Sequence, residues 1–260
     1  YGHANAFSEV TNGFYGASGA AGIYVNASFQ GDAMVVNNGD INAIAIAENS
    51  VRWAQGGAGA TGVNAYAKYD ASIINTGDIN VIADAQFGNV AAYGGIARGK
   101  YSRHIVNEAG ASIVALASVG SLYGDQSSGR AVSFGTQTFR GGMEYAVTYN
   151  AGSIVSHAVV TPDGSEMPIG SIAEAFGSCI GYNSGIDRAT VDNRGSIEAA
   201  AGADFGYATA YGAFVRSQSE SVITNAGDIR ASASAAGGNA WAVGSYAFSL
   251  NQTVSYTSDP

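Results

Sequence analysis

A short corner, Asn-x-Gly-(Asp/Ser)-Ile, returns five times along this chain: Asn37 to Ile41, Asn75 to Ile79, Asn150 to Ile154, Asn193 to Ile197 and Asn225 to Ile229. A sixth copy, Asn107 to Ile113, carries two extra residues, and Gly110 is read as its glycine. Self-similarity at a fixed period marks a repeat architecture and has to be read before any local assignment. Two further markers keep step with the corners. Glycines six apart bracket small alternating residues at Gly16/Gly22, Gly56/Gly62, Gly88/Gly94, Gly129/Gly135, Gly206/Gly212 and Gly238/Gly244; in the remaining unit Gly181 is taken with Ala175 in place of the first glycine. From the second glycine to the corner Asn the spacing is nearly constant, and the shortest units, Gly62 to Gly94 and Gly212 to Gly244, are 32 residues long.

After each corner the chain alternates: Ile41, Ala43, Ala45, Ala47; Ile79, Val81, Ala83, Ala85; Ile229, Ala231, Ala233. A period of two buries one face of a strand. A second strand lies between the paired glycines, with Ala58/Ala60, Val90/Ala92, Ala131/Ser133, Ala208/Ala210 and Ala240/Ala242 directed inward. A third runs into the corner, as in Ser72-Ile73-Ile74-Asn75. The expected fold is all-β: a parallel β-helix of about seven rungs, each of three strands and roughly 32 residues plus insertions, filling residues 1–260 as one segment and clearest over 16–257. Extra residues near 118–128 and 161–170 read as inserted loops.

The corner residues Asn37, Asn75, Asn107, Asn150, Asn193 and Asn225, with Gly39, Gly77, Gly110, Gly152, Gly195 and Gly227, are read as a structural ladder. The glycines are expected to supply backbone angles closed to other residues, and the amides to bond to backbone or to one another. A catalyst is needed once, not six times. Two outward stripes follow from the alignment: Tyr93, Phe134, Ile180 and Tyr211 before the second glycine, and Ile44, Ile82 and Leu116 after the corner, the latter giving way to His157, Ala200 and Ser232. Such stripes stabilise a sheet face or meet a partner. Cys179, placed in line with Ala92 and Ala210, is read as a buried small residue.

Composition narrows function. A formal net charge of −9 with 11 Lys plus Arg leaves no basic footprint for nucleic acid. No apolar run approaches the roughly 20 residues of a spanning helix. Walker, nucleophile-elbow, zinc and calcium-nonapeptide motifs are lacking, His3, His104 and His157 lie in different units, and no cofactor, metal or catalytic residue is assigned. Asp40 and Asp78 should stack one rung apart, with a weakly held cation as the alternative to two solvated carboxylates. For a carbohydrate-active β-helix the candidate groups are Asp187, Arg188 and Asp192, with Asp163 and Glu166.

The corners and the Gly-x-Ala-x-Ala-x-Gly strands resemble passenger regions of Gram-negative autotransporter and filamentous-haemagglutinin-like exoproteins. The resemblance spans about Gly16 to Thr257 and implies right-handed winding, export to the bacterial cell surface and a non-catalytic stalk or passenger segment in adhesion or aggregation. The partners it implies are a protein or carbohydrate ligand of a cell surface or matrix, or further copies of the chain, head to tail or laterally. A self-assembling fibre subunit and a polysaccharide lyase, hydrolase or tailspike-like protein are the alternatives. For the fibre, the sequence aligns Thr257 with Asn225 and lets Gly2 to Phe7 begin the alternation that would follow.

Overall fold

The computed structural model describes residues 4–11, 17–29, 31–48, 57–86, 88–121, 129–138, 144–162, 171–181, 186–250 and 253–258. Its strands follow one another in rungs. The first rung is β1 (Ala4–Thr11), β2 (Ala17–Ala27) and β3 (Ala33–Asn37); the second β4 (Ile41–Glu48), β5 (Gly57–Ala67) and β6 (Asp70–Asn75). The third is β7 (Asp78–Ala85), β8 (Asn89–Arg98) and β9 (Ser102–Asn107); the fourth β10 (Ser112–Ser121), β11 (Arg130–Thr138) and β12 (Tyr145–Asn150). The fifth is β13 (Ser153–Pro162), β14 (Ser171–Ile180) and β15 (Arg188–Asn193). In the sixth and seventh the first two strands fuse into long bent ones, β16 (Ser196–Ser217) and β18 (Asp228–Ser249), followed by β17 (Glu220–Asn225) and β19 (Thr253–Ser258).

All pairings are parallel and join each strand to its counterpart one rung away, so the fold is a parallel β-helix. Three stacks result. The first holds the strands after each corner, the second the strands around the paired glycines, the third the strands leading to the corner. Ile41, Ile79, Ile113, Ile154 and Ile197 form one buried column and Ala43, Val81, Ala115, Ser156 and Ala199 the next, which makes the interior narrow. Small inward residues suit this cross-section because three sheets have to approach one another closely.

The paired-glycine marker has a packing cause. A Cβ on Gly62 would run into Ile79 Cγ2 and come 2.7 Å from the Gly94 carbonyl oxygen; Gly94 stands likewise against Ile113, Gly135 against Ile154 and Gly212 against Ile229. The corner isoleucine of each rung therefore seats on the glycine of the rung before it, and the two sequence markers travel together because they touch.

Several expectations are corrected. In the fifth rung the glycine that meets its isoleucine, Ile197, is Gly177, not Gly181, and Ser171 replaces the first glycine of the pair. Cys179 accordingly pairs with Gln137 and Phe214, outside the Ala92–Ala210 column, where Ala175 stands; it is buried all the same. Residues 118–121 and 161–162 lie in strands, because β10 and β13 continue their ladder through Ser121 and Pro162; what remains of the two expected loops lies outside the described residues. Ser258, not Thr257, faces Asn225.

Candidate functional site: the corner ladder and the outer columns

Each corner asparagine donates its side-chain amide to the next. Nδ2 of Asn37 reaches Oδ1 of Asn75 at 2.7 Å, and the links Asn75–Asn107, Asn107–Asn150, Asn150–Asn193 and Asn193–Asn225 measure 2.9, 2.8, 2.7 and 2.7 Å. Most of these amides also donate to the carbonyl of the residue that opens the strand after the following corner, one rung on: Asn75 to Ser112, Asn107 to Ser153, Asn150 to Ser196 and Asn193 to Asp228. Buried amides are tolerated only when so satisfied, and the ladder ties each rung from the first to the fifth to its successor, with Asn225 donating to the Gly227 carbonyl of its own corner.

The corner glycines act differently from the expectation. None of Gly39, Gly77, Gly152, Gly195 or Gly227 has a positive φ. A Cβ on Gly77 would instead collide with the Gly39 carbonyl oxygen, and Gly195 and Gly227 stand in the same relation to Gly152 and Gly195, so close stacking of one corner on the next excludes a side chain. Gly110 is not part of this column: Ala111 occupies the corner place, accepting from Ser153 N–H, and Gly110 takes the two-residue excursion at φ +83.

The first outward stripe also changes. The column is Tyr93, Phe134, Phe176 and Tyr211; Ile180 points inward between Thr138 and Val215. Successive rings stack at centroid separations of 5.4, 4.8 and 5.3 Å, and Phe214 meets Phe176 and Tyr211 edge-on across the bend at Gly177 and Gly212. Phe134 and Phe176 are only 4% and 1% exposed and form a second small core with Val132, Cys179 and Phe214. Burial raises the pKa of Tyr93, against the pull of Arg98 and Arg130, and also that of Tyr211, where Tyr246 and Glu174 add to it. Gln137, in the outward column beside this one, is buried, and neither of its amide atoms is hydrogen-bonded among the described residues. Sequence alignment missed Phe176 and Phe214; the signal for them was the bend glycine, since the residues on either side of it face each other.

The second stripe runs as Phe7, Ile44, Ile82, Leu116, His157, Ala200 and Ser232 in unbroken register. Phe7 is 64% and Ile82 37% exposed. Flanking columns add Ile46, Val114, Val155 and Val159, the last 38% exposed. Among the described residues, no helix is long and apolar enough to cross a membrane, and no group of three or more His, Cys, Asp or Glu side chains is arranged to hold a metal. Asp40 stands just before β4 and Asp78 opens β7, the strand paired with it, and Asp78 accepts from Ser112 Oγ at 2.6 Å. No family model, curated protein or solved structure matches the chain.

Among the described residues, the acid–base groups singled out on the sequence do not converge. Asp187 accepts from Ser219 Oγ, Arg188 lies 3.7 Å from Glu220 and over the Tyr145 ring, and Asp192 is held by Arg194 at 3.4 Å. Arg188 and Asp192 both point outward from one strand, four residues apart, with Thr190 between them. Asp163 and Glu166 lie outside the described residues. His104 faces outward from the third stack, while His157 meets Glu198 at 3.1 Å on the first; His3 lies outside the described residues.

Proposed function

We propose that the chain is a non-catalytic structural and adhesive segment: a β-solenoid rod, exported to a cell surface, whose outer columns engage a ligand on another cell or on a matrix. The observation that supports this best is the division of labour across each strand. Inward positions repeat with little variation and the corner Asn recurs in six rungs, whereas outward positions change from rung to rung. A scaffold built by nearest-neighbour stacking leaves its outer surface open to acquire binding patches without disturbing the core. The resemblance to exported passenger regions supports the cell-surface placement.

The test is adhesion by the purified chain. Saturable attachment of the monomer to cells or to immobilised matrix components, with polysaccharide substrates left intact, is the expected result. No attachment to any such surface, or release of new reducing ends or unsaturated sugars from a polysaccharide, would overturn the reading.

A further inference from the structure

We propose that the outer face of the first stack, from Phe7 on β1 to Val159 on β13, docks a basic amphipathic segment of a protein partner. This deepens the adhesive reading and rests on it. Ile44, Ile82 and Leu116 stack along the rod, with Ile46, Val114 and Val155 at their sides. The same face in the sixth and seventh rungs carries Ala200, Gly202, Ser232 and Ser234 at the equivalent positions, in uninterrupted register. Large outward aliphatics are therefore not a requirement of this sheet, and their restriction to the earlier rungs asks for another cause.

Charge specifies the partner. Glu9, Asp40, Asp78 and Asp84 lie on or beside this face in the first three rungs, and no Lys or Arg side chain projects from the described part of it in the first five. His157 alone is cationic when protonated, and Glu198 lies beside it. An apolar strip rimmed by carboxylates suits a segment that brings apolar anchors flanked by Lys or Arg. Size excludes a broad partner surface: four rung spacings give a length of roughly 19 Å, and three outward columns a width of roughly 14 Å. That area is well below the ~800 Å² per partner of a stable globular interface. It fits about 13 residues of helix. A second copy of the chain would oppose one acidic rim with another.

The experiment uses a fluorescent peptide of Leu-Lys-Lys-Leu repeats, read by anisotropy against the whole chain. Binding is expected to weaken roughly tenfold in Ile82→Ser/Leu116→Ser. It should weaken by a smaller factor, with a flatter salt dependence, in Asp78→Asn/Asp84→Asn. Val222→Ser, outward on the third stack, should bind as the parent does, and circular dichroism should show all variants folded. Equal affinity for Ile82→Ser/Leu116→Ser and the parent would overturn the proposal, as would equal binding of a Leu-Glu-Glu-Leu peptide. So would self-association of the parent that the same double substitution abolishes, since the occupant would then be a second copy. Should Ile82→Ser/Leu116→Ser still adhere to cells as the parent does, the adhesive reading stands and only this face is excluded.

Discussion

On the first stack, the second to fifth rungs and the last two share a backbone register and differ in what they show to solvent. Ile44, Ile82 and Leu116 are matched by Ala200 and Ser232, and Asn42 and Asn80 by Glu198 and Arg230, while isoleucine stands at the inward corner place throughout. The difference teaches where the fold is encoded. Small inward residues and a bend glycine against the next corner isoleucine recur from rung to rung, joined over the first six rungs by the corner amides, while the outward residues change. The second stack supplies the contrast, since its outward aromatic column has become a core of its own.

Removing that small core should have the largest effect. Phe176→Ala deletes a side chain stacked between Phe134 and Tyr211 and is expected to cost about 3–5 kcal/mol in urea denaturation. A loss under about 1 kcal/mol would return this column to the class of ordinary outward positions. Next comes the corner. Asn107→Ala cuts the ladder in the middle, strips the side-chain Oδ1 of Asn150 of its donor and should destabilise by about 2–3 kcal/mol. An unchanged denaturation midpoint would mean that the ladder follows from the fold without holding it.

Much of this was legible in the sequence because period two, small inward residues and a repeated corner are local signals. Ala92 and Ala210 were placed correctly for that reason. The fifth rung was misread because a substitution at its first glycine, Ser171, allowed Ala175 and Gly181 to mimic the six-residue spacing. Only the contact between Gly177 and Ile197 discriminates, and that contact joins residues of neighbouring rungs. Nor could the sequence distinguish a glycine needed for its φ from one needed for close approach; Gly110 is of the first kind and Gly77 of the second. The burial of Phe134 and Phe176 was hidden because alternation assigns a face and says nothing of a bend that turns two outward positions toward each other.

The inward–outward contrast is sharpened by one pair of substitutions of equal size. Ala210→Leu should overpack the interior at about 1–3 kcal/mol, whereas Ser232→Leu, outward on the seventh rung, should stay within about 0.5 kcal/mol. Equal midpoints for the two would break it. A smaller effect concerns the two tyrosines of the aromatic column. Burial favours the neutral phenols of Tyr93 and Tyr211, so their contribution is fully present below the pKa of about 10 of an unfolded tyrosine and is lost as pH rises through their higher folded values. Ultraviolet titration of Tyr93→Phe and Tyr211→Phe should each remove a phenol that titrates above the ordinary tyrosine value, and loss of one that titrates at or below it would contradict their burial.

The central claim is that apolar and polar rungs stack in one continuous register. It is tested most directly by the distance between spin labels at Ile44→Cys and Ser232→Cys, with Cys179 replaced by Ala. These positions lie in one outward column, on the second and seventh rungs. Five rung spacings predict a narrow distribution centred near roughly 24 Å, unchanged when Leu116 between them is replaced by Ser. A broad distribution, or a mean beyond roughly 35 Å where no parallel stack of that pitch can reach, would contradict it.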